Sequence, residues 1–211
     1  MRLFGYWRSS ATYRVRIVLN LKGLAYDYTP VNLLAGEQNE ADHRARQPQG
    51  LVPALEDDDG AMVVQSLAIA EYLEETRSAK PILPEGAAAR AAARAIAASI
   101  ACEGQPFMNL RVQRFLKNDK GFDDDAMADW LNRWAGGALD GVEAMAARHG
   151  GDFCVGDRPG LAEAFLIPQM FASRRFGVDV DRFAKLVEIE ARCAELDAFQ
   201  RARPERQPDA P

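Results

Sequence analysis

The opening stretch of the chain alternates between two hydrophobic periods. Arg2–Trp7 (RLFGYW) is short and aromatic-rich like a strand, and Thr12–Lys22 switches to helical spacing with Val15, Val18 and Leu19 on one face. Gly23 follows as the stop, because glycine accepts the left-handed backbone that ends a helix. Tyr26–Val31 (YDYTPV) reads as a second strand and Gln38–Arg46 as a polar, weakly helical segment. Leu51–Glu56 and Met62–Val64 are short apolar runs flanking Asp57-Asp58-Asp59-Gly60, a hairpin signal that outweighs any reading of the acids as a cation site. Ser66 then opens a helix with Ile69, Tyr72 and Leu73 facing inward. The predicted order over residues 1–80 is β-α-β-α-β-β-α.

Pro81-Ile-Leu-Pro84-Glu-Gly86 marks a domain boundary, since its prolines and glycine suit neither helix nor strand. Residues 87–203 read as all-helical. Ala87–Ala98 has strong helix propensity, and the helix is expected to run to Lys117 with a kink at Pro106. Ala126–His149, Leu161–Arg174 and Phe183–Ala202 are the next helices, and the polar, proline-bearing tail Pro204–Pro211 is expected to be disordered.

Composition narrows the function classes. A chain of 211 residues that is 48% hydrophobic and 27% charged suits an ordinary globular protein. Its net charge of -5 argues against general affinity for nucleic acid or an anionic membrane, so an anionic substrate would need a local cluster of arginines. Met1-Arg2-Leu3-Phe4 lacks a secretory h-region, no run is long enough to span a membrane, and the odd, scattered Cys102, Cys154 and Cys193 fit a reducing compartment. The expected location is therefore the cytoplasm. With no Cys-x-x-Cys and only His43 and His149, neither a metal site nor a dithiol centre is expected. The cysteines read as small core residues and both histidines as exposed.

Four separated segments carry a family resemblance across almost the whole chain. They are Tyr6–Ile17 (YWRSSATYRVRI), Gln47–Leu55 (QPQGLVPAL) with Gln65–Leu73, Gly104–Arg111 (GQPFMNLR), and Val155–Asp179 with its Ile167-Pro168-Gln169 and Arg174-Arg175-Phe176. Together they closely resemble the zeta-class glutathione transferases, the group that includes maleylacetoacetate and maleylpyruvate isomerases. The resemblance implies an α/β thioredoxin-like N-terminal domain, an all-α C-terminal domain, and glutathione as cofactor. It implies a homodimer, and reversible thiolate addition that isomerises a small cis-diacid. A conjugating or dehalogenating transferase is the alternative, and a non-catalytic partner-binding protein is a third reading. The intact set Ser9, Pro53, Gln65 and Ser66 argues against the third.

The resemblance also assigns residues, and physical chemistry gives most of them a reason. Ser66, at a helix N-terminus, would offer free N–H groups to the γ-glutamyl carboxylate, with Gln65 adding an amide. A cis Pro53 would let Val52 pair through its backbone with the cysteinyl unit. By resemblance Gln38, Gln49, Gln105 and Asn109 also reach glutathione, the last two sharing a helical face. Ser9 is the implied thiolate partner and Ser10 its neighbour; a hydroxyl donor beside a helix N-terminus favours the thiolate. Arg8, Arg111 and Arg175 match substrate positions, where a planar guanidinium suits a carboxylate, whereas Arg14 and Arg16 read as structural. Two departures stand out. Ala11 replaces the motif's usual cysteine, and Gly160 with Glu163 replaces its usual Thr and Asp capping box, losing the cap hydroxyl.

Overall fold

The computed structural model describes residues 1–211, which divide into two compact units, 1–82 with 195–211 and 83–194. In the first, β1 (Arg2–Gly5), α1 (Ser10–Lys22), β2 (Asp27–Pro30), α2 (Ala41–Arg46), β3 (Ala54–Glu56), β4 (Met62–Val64) and α3 (Ser66–Thr76) follow in the predicted order. The sheet runs β2-β1-β3-β4, with β1 parallel to β2 and antiparallel to β3, and β3 antiparallel to β4. A helix joins the parallel pair because parallel strands need a crossover, while the β3–β4 pair closes through the acidic hairpin. Asp57 N–H donates to Ala61 O there, and the Asp57 carboxylate takes bonds from Arg77 and Tyr72.

Period-two alternation in β1 assigns the two faces of the sheet. Phe4 and Tyr6 join Val31, Val52 and Ala54 in one buried cluster, with the Arg46 guanidinium of α2 4.8 Å from the Phe4 ring centroid. α1 is buried along almost its whole length, including Thr12, Arg14 and Arg16, and ends at Gly23 with φ of 68° as its spacing predicts.

The second unit holds α4 (Ala87–Ala98), α5 (Leu110–Lys120), α6 (Asp124–Leu131), α7 (Gly137–His149), α8 (Leu161–Arg175) and α9 (Ala184–Ala194). α8 is its centre: nearly every residue from Leu161 to Ser173 is buried, as expected of a helix that is apolar on all sides. The expected Ala87–Lys117 helix is instead segmented. α4 passes through a π-helical turn at Ser99–Gly104 and a 3-10 turn at Gln105–Met108, then breaks at Asn109, which is extended and caps α5. The break falls three residues beyond Pro106 because proline is tolerated in the first turn of a helical segment and Asn109 supplies the next cap. Phe107, Trp130 and Trp134 pack together across this region, Phe107 stacked on Trp134 at 4.5 Å.

Further sequence expectations are corrected. Phe183–Ala202 is two helices, α9 and α10 (Asp197–Ala202), the latter belonging to the first unit. Pro204–Pro211 is ordered and packed: Pro204 and Gln207 are buried, the Gln207 amide donating to the carbonyls of Arg201 and Arg203. His43 is buried, its Nε2 2.7 Å from Leu51 O, and Cys102 is exposed. Cys154 and Cys193 are buried as expected, and burial together with the Glu163 carboxylate pushes both thiols well up, so neither serves as a nucleophile.

Gly160 carries no hydroxyl to cap α8, and Glu163 instead braces the turn in front of that helix. Its carboxylate, on a side chain 2% exposed as a residue, accepts Gly160 N–H at 2.7 Å and Cys154 N–H at 2.8 Å. Each bond to a charged group contributes about 1.5–3 kcal/mol. Glu163→Ala is therefore expected to destabilise the fold by about 3 kcal/mol or more, measured by urea unfolding. A midpoint equal to wild type would show that Glu163 is not the clamp.

Candidate functional site

The turn between β1 and α1 exists because of what Gly5 lacks. A Cβ there would collide with Thr12 Cγ2, so only glycine lets α1 begin this close to the strand. Thr12 is fully buried, and its Oγ1 accepts Tyr6 N–H at 3.4 Å. Ser9 N–H donates to Tyr6 O, and Ser9 is the N-cap of α1, its Oγ accepting Thr12 N–H at 3.3 Å. The cap spends an acceptor lone pair of the hydroxyl and leaves its proton free to donate. Capping and thiolate binding are thus compatible roles for one side chain. Ser10 is the first residue of α1, and the Arg8 guanidinium lies 5.1 Å from the Trp7 ring centroid.

A second cluster in the same unit gathers several predicted residues. The Val52–Pro53 peptide is cis, and Val52 and Pro53 are buried. Gln65 precedes α3 with φ of 71°, alone among the non-glycine residues in a left-handed conformation, and makes no side-chain cap. Its amide donates instead to Gln49 Oε1, joining the Pro53 loop to the start of α3. Ser66 is the first residue of α3, and its Oγ accepts Arg14 Nη1 at 3.2 Å. Gln38 Oε1 is buried and receives no hydrogen bond. Sequence reading missed Gln47, which is 1% exposed and braces this loop by accepting Leu51 N–H. Its place at the head of the Gln47–Leu55 motif was its only signal in the sequence.

In the helical unit the structure separates residues that the sequence had grouped. Gln105 and Asn109 do not share a helical face, because Asn109 is extended and its Oδ1 caps α5 through Arg111 N–H. Of the paired arginines ending α8, Arg174 is engaged by Glu190 and Asp181, while Arg175 lines a cavity of about 470 Å³. Leu110, Met127, Leu131 and Phe176 form apolar parts of its wall, and Arg114 joins Arg175 there. Arg111, the predicted partner, does not line it.

The sheet order, the cis-proline loop tied to the start of α3 and the capped serine after β1 fit the glutathione transferase pattern that the sequence resembles. Residues 8–76 match the family model of the glutathione S-transferase N-terminal domain. The chain is 45% identical to a maleylacetoacetate isomerase of Rhizobium meliloti, over 97% of this chain and 96% of the relative. It is 41% identical to a maleylpyruvate isomerase of Ralstonia, over the full length of both. The crystal structure of a maleylacetoacetate isomerase from Methylobacterium extorquens AM1, with bound malonate and glutathione, covers both chains fully at 41% identity and a TM-score of 0.94. This chain belongs to the zeta class of the glutathione transferases.

Replacing the free hydroxyl of Ser9 tests the first cluster. Ser9→Ala removes a donor worth about 1.5–3 kcal/mol to a charged acceptor, so the thiol pKa of bound glutathione should rise by about one to two units. Ser10→Ala should move it less. Thiolate absorbance against pH reads both, and identical titrations for wild type and Ser9→Ala would remove Ser9 from the mechanism.

Proposed function

We propose that this protein is a glutathione-dependent isomerase that converts a small cis-diacid, of the maleylacetoacetate or maleylpyruvate type, to its trans isomer. Ser9 carries the reading: it is anchored as a cap yet retains a proton to give, at the N-terminus of α1, where the helix dipole also favours an anion. Bound glutathione supplies a thiolate that adds reversibly to the cis double bond, allowing rotation before it is eliminated unchanged.

The residues present suit that tripeptide. α3 has no side-chain cap, so its first N–H groups remain for a carboxylate beside Ser66, and the buried, undonated Gln38 Oε1 is an acceptor for an ammonium or amide N–H. Arg14 donates to Ser66 Oγ and, being a donor only, orients the serine proton away from itself. The α/β unit contains no cysteine, and Ala11 stands where the motif carries one, so thiol chemistry at Ser9 rests on the bound cofactor. Val52, Pro53, Gln49 and Gln65 hold glutathione in this reading, with Gln105 and Asn109 as further contacts.

Arg175 holds one substrate carboxylate, supported by its place on a partly apolar cavity whose wall also carries Arg114, Lys117 and Asp124. Arg114 takes the second role in preference to Arg111, because it shares that cavity; Arg8 remains a candidate beside the serine turn. No helix is long and apolar enough to cross a membrane, and we assign the enzyme to the cytoplasm as a homodimer.

With trace glutathione, either diacid should be turned over with the glutathione pool unchanged. Stoichiometric loss of glutathione would make the protein a conjugating transferase instead. Arg175→Met and Arg114→Met should each raise the substrate KM at least tenfold and leave the glutathione KM within about threefold, whereas Arg111→Met should change neither. A glutathione KM that rises in parallel would refute the carboxylate assignment. Sedimentation at micromolar concentration should give twice the 23.3 kDa chain mass; the mass of one chain would refute the dimer.

A further inference from the structure

The segment after α9 carries polar side chains that reach the serine turn, and neither the thiol reading nor the fold accounts for them. Asp209 Oδ2 accepts the backbone N–H of Trp7 at 2.9 Å and the Tyr28 hydroxyl at 3.4 Å. Arg16, 0% exposed, donates through Nη2 to the Trp7 carbonyl at 2.9 Å and through Nε to Ala202 O at 3.0 Å. Trp7 thus has an anion at its N–H and a cation at its carbonyl, each matched to the sign of the group it holds. Trp7 lies two residues before Ser9, and the turn continues through the Ser9 N–H to Tyr6 O bond.

The strap is itself anchored. Asn20 of α1 donates to Ala198 O, and Gln207 ties the end of the chain back to the last carbonyls of α10. Burial, together with the Asp209 carboxylate and against the Arg16 charge, pushes the Tyr28 hydroxyl up, so it remains a donor to Asp209. Asp209 Oδ1 is buried without a hydrogen bond, a cost that a strap serving only to cover apolar surface would not carry.

We propose that Asp209 is a positioning residue: with Arg16 it clamps Trp7 and thereby sets where the Ser9 hydroxyl points. This rests on the reading of Ser9 as the thiolate partner. Its expected consequence is on the thiolate and on turnover, with little on glutathione affinity, since Ser66, Gln65 and the Pro53 loop are not held by the strap.

The test uses the full chain with Asp209→Leu, which removes the acceptor, and Asp209→Asn, which restores an oxygen of the same reach. A chain ending at Gln207 is the second variant and keeps the α10 anchor. Asp209→Leu and the shortened chain should raise the thiol pKa of bound glutathione by at least half a unit and lower kcat at least tenfold. Their glutathione KM should stay within about threefold of wild type, and Asp209→Asn should recover most of both losses. A lowered melting temperature with wild-type titration and kcat below it would overturn the proposal and leave the strap purely structural. Equal loss in the Asn and Leu variants would also overturn it. Should Ser9→Ala itself leave the titration unchanged, hydrogen exchange at the Trp7 amide separates the two ideas. Faster exchange in Asp209→Leu with recovery in Asp209→Asn would uphold the clamp, and unchanged exchange would refute it.

Discussion

α1 carries the guanidinium groups of Arg14 and Arg16 into the interior of the α/β unit, where they are 2% and 0% exposed. A guanidinium keeps its charge at any ordinary pH, and taking a charge out of water without partners costs several kcal/mol. The surrounding chain meets part of that demand, and Arg16 Nη1 stays buried without a hydrogen bond. Arg14 reaches the hydroxyl that begins α3, and Arg16 reaches the carbonyls of Trp7 and Ala202, drawing the turn before α1 and the end of α10 to the same helix. Two residues that read from sequence as structural therefore sit directly behind the serines that read as functional. Stability and chemistry share these hydrogen bonds, so a change to either arginine would disturb both at once.

The α/β unit solves a second problem with small residues and amides. Gly5 allows α1 to start against the strand, Thr12 fills the space, and Ser9 caps the helix without exhausting its hydroxyl. Around the Pro53 loop, His43 and Gln47 supply the internal braces, which leaves Gln49 and Gln65 to meet at the surface near the start of α3. Buried polar groups hold the frame, while Gln49 and Gln65, of the same chemical type, stay at the surface. Residue type alone does not distinguish the two sets.

The helical unit shows how packing overrides period. Gly104 approaches Ala138 so closely that a Cβ would stand 3.0 Å from its methyl carbon, and the backbone there widens into a π-helical turn before tightening at Pro106. A continuous helix through Asn109 would have placed Gln105 and Asn109 on one face. The extended Asn109 gives α5 a new start and puts Leu110 and Arg114, but not Arg111, on the wall of the cavity. Glu163 is a brace of another kind: its buried carboxylate gathers the Gly160 and Cys154 N–H groups in the turn before α8.

Alternating and helical periods, the Gly23 stop and the Asp57–Gly60 turn were enough to order β1 through α3, but nothing in them signalled that residues 195–211 return to the same unit. Those signals are local: each depends on a few neighbouring residues and their backbone preferences. The serine turn, Pro53, Gln65 and Ser66 were picked out differently, by the resemblance of their motifs to the zeta-class family, since taken singly each reads as an ordinary cap or strand-start residue. What the chain alone left open depends on contacts between distant residues. The tail looked disordered because its composition is polar, and it is ordered by buried Pro204 and Gln207 together with Asp209 meeting Trp7 and Tyr28 across the fold. Arg175 was singled out over Arg174 only by family resemblance, and the structure adds that Arg174 meets Glu190 and Asp181 while Arg175 stands over the Phe176 ring on the cavity wall. Local preference determined the elements; contacts between distant segments, which exist only once the chain packs, decided which polar side chains are buried as braces and which stay at the surface.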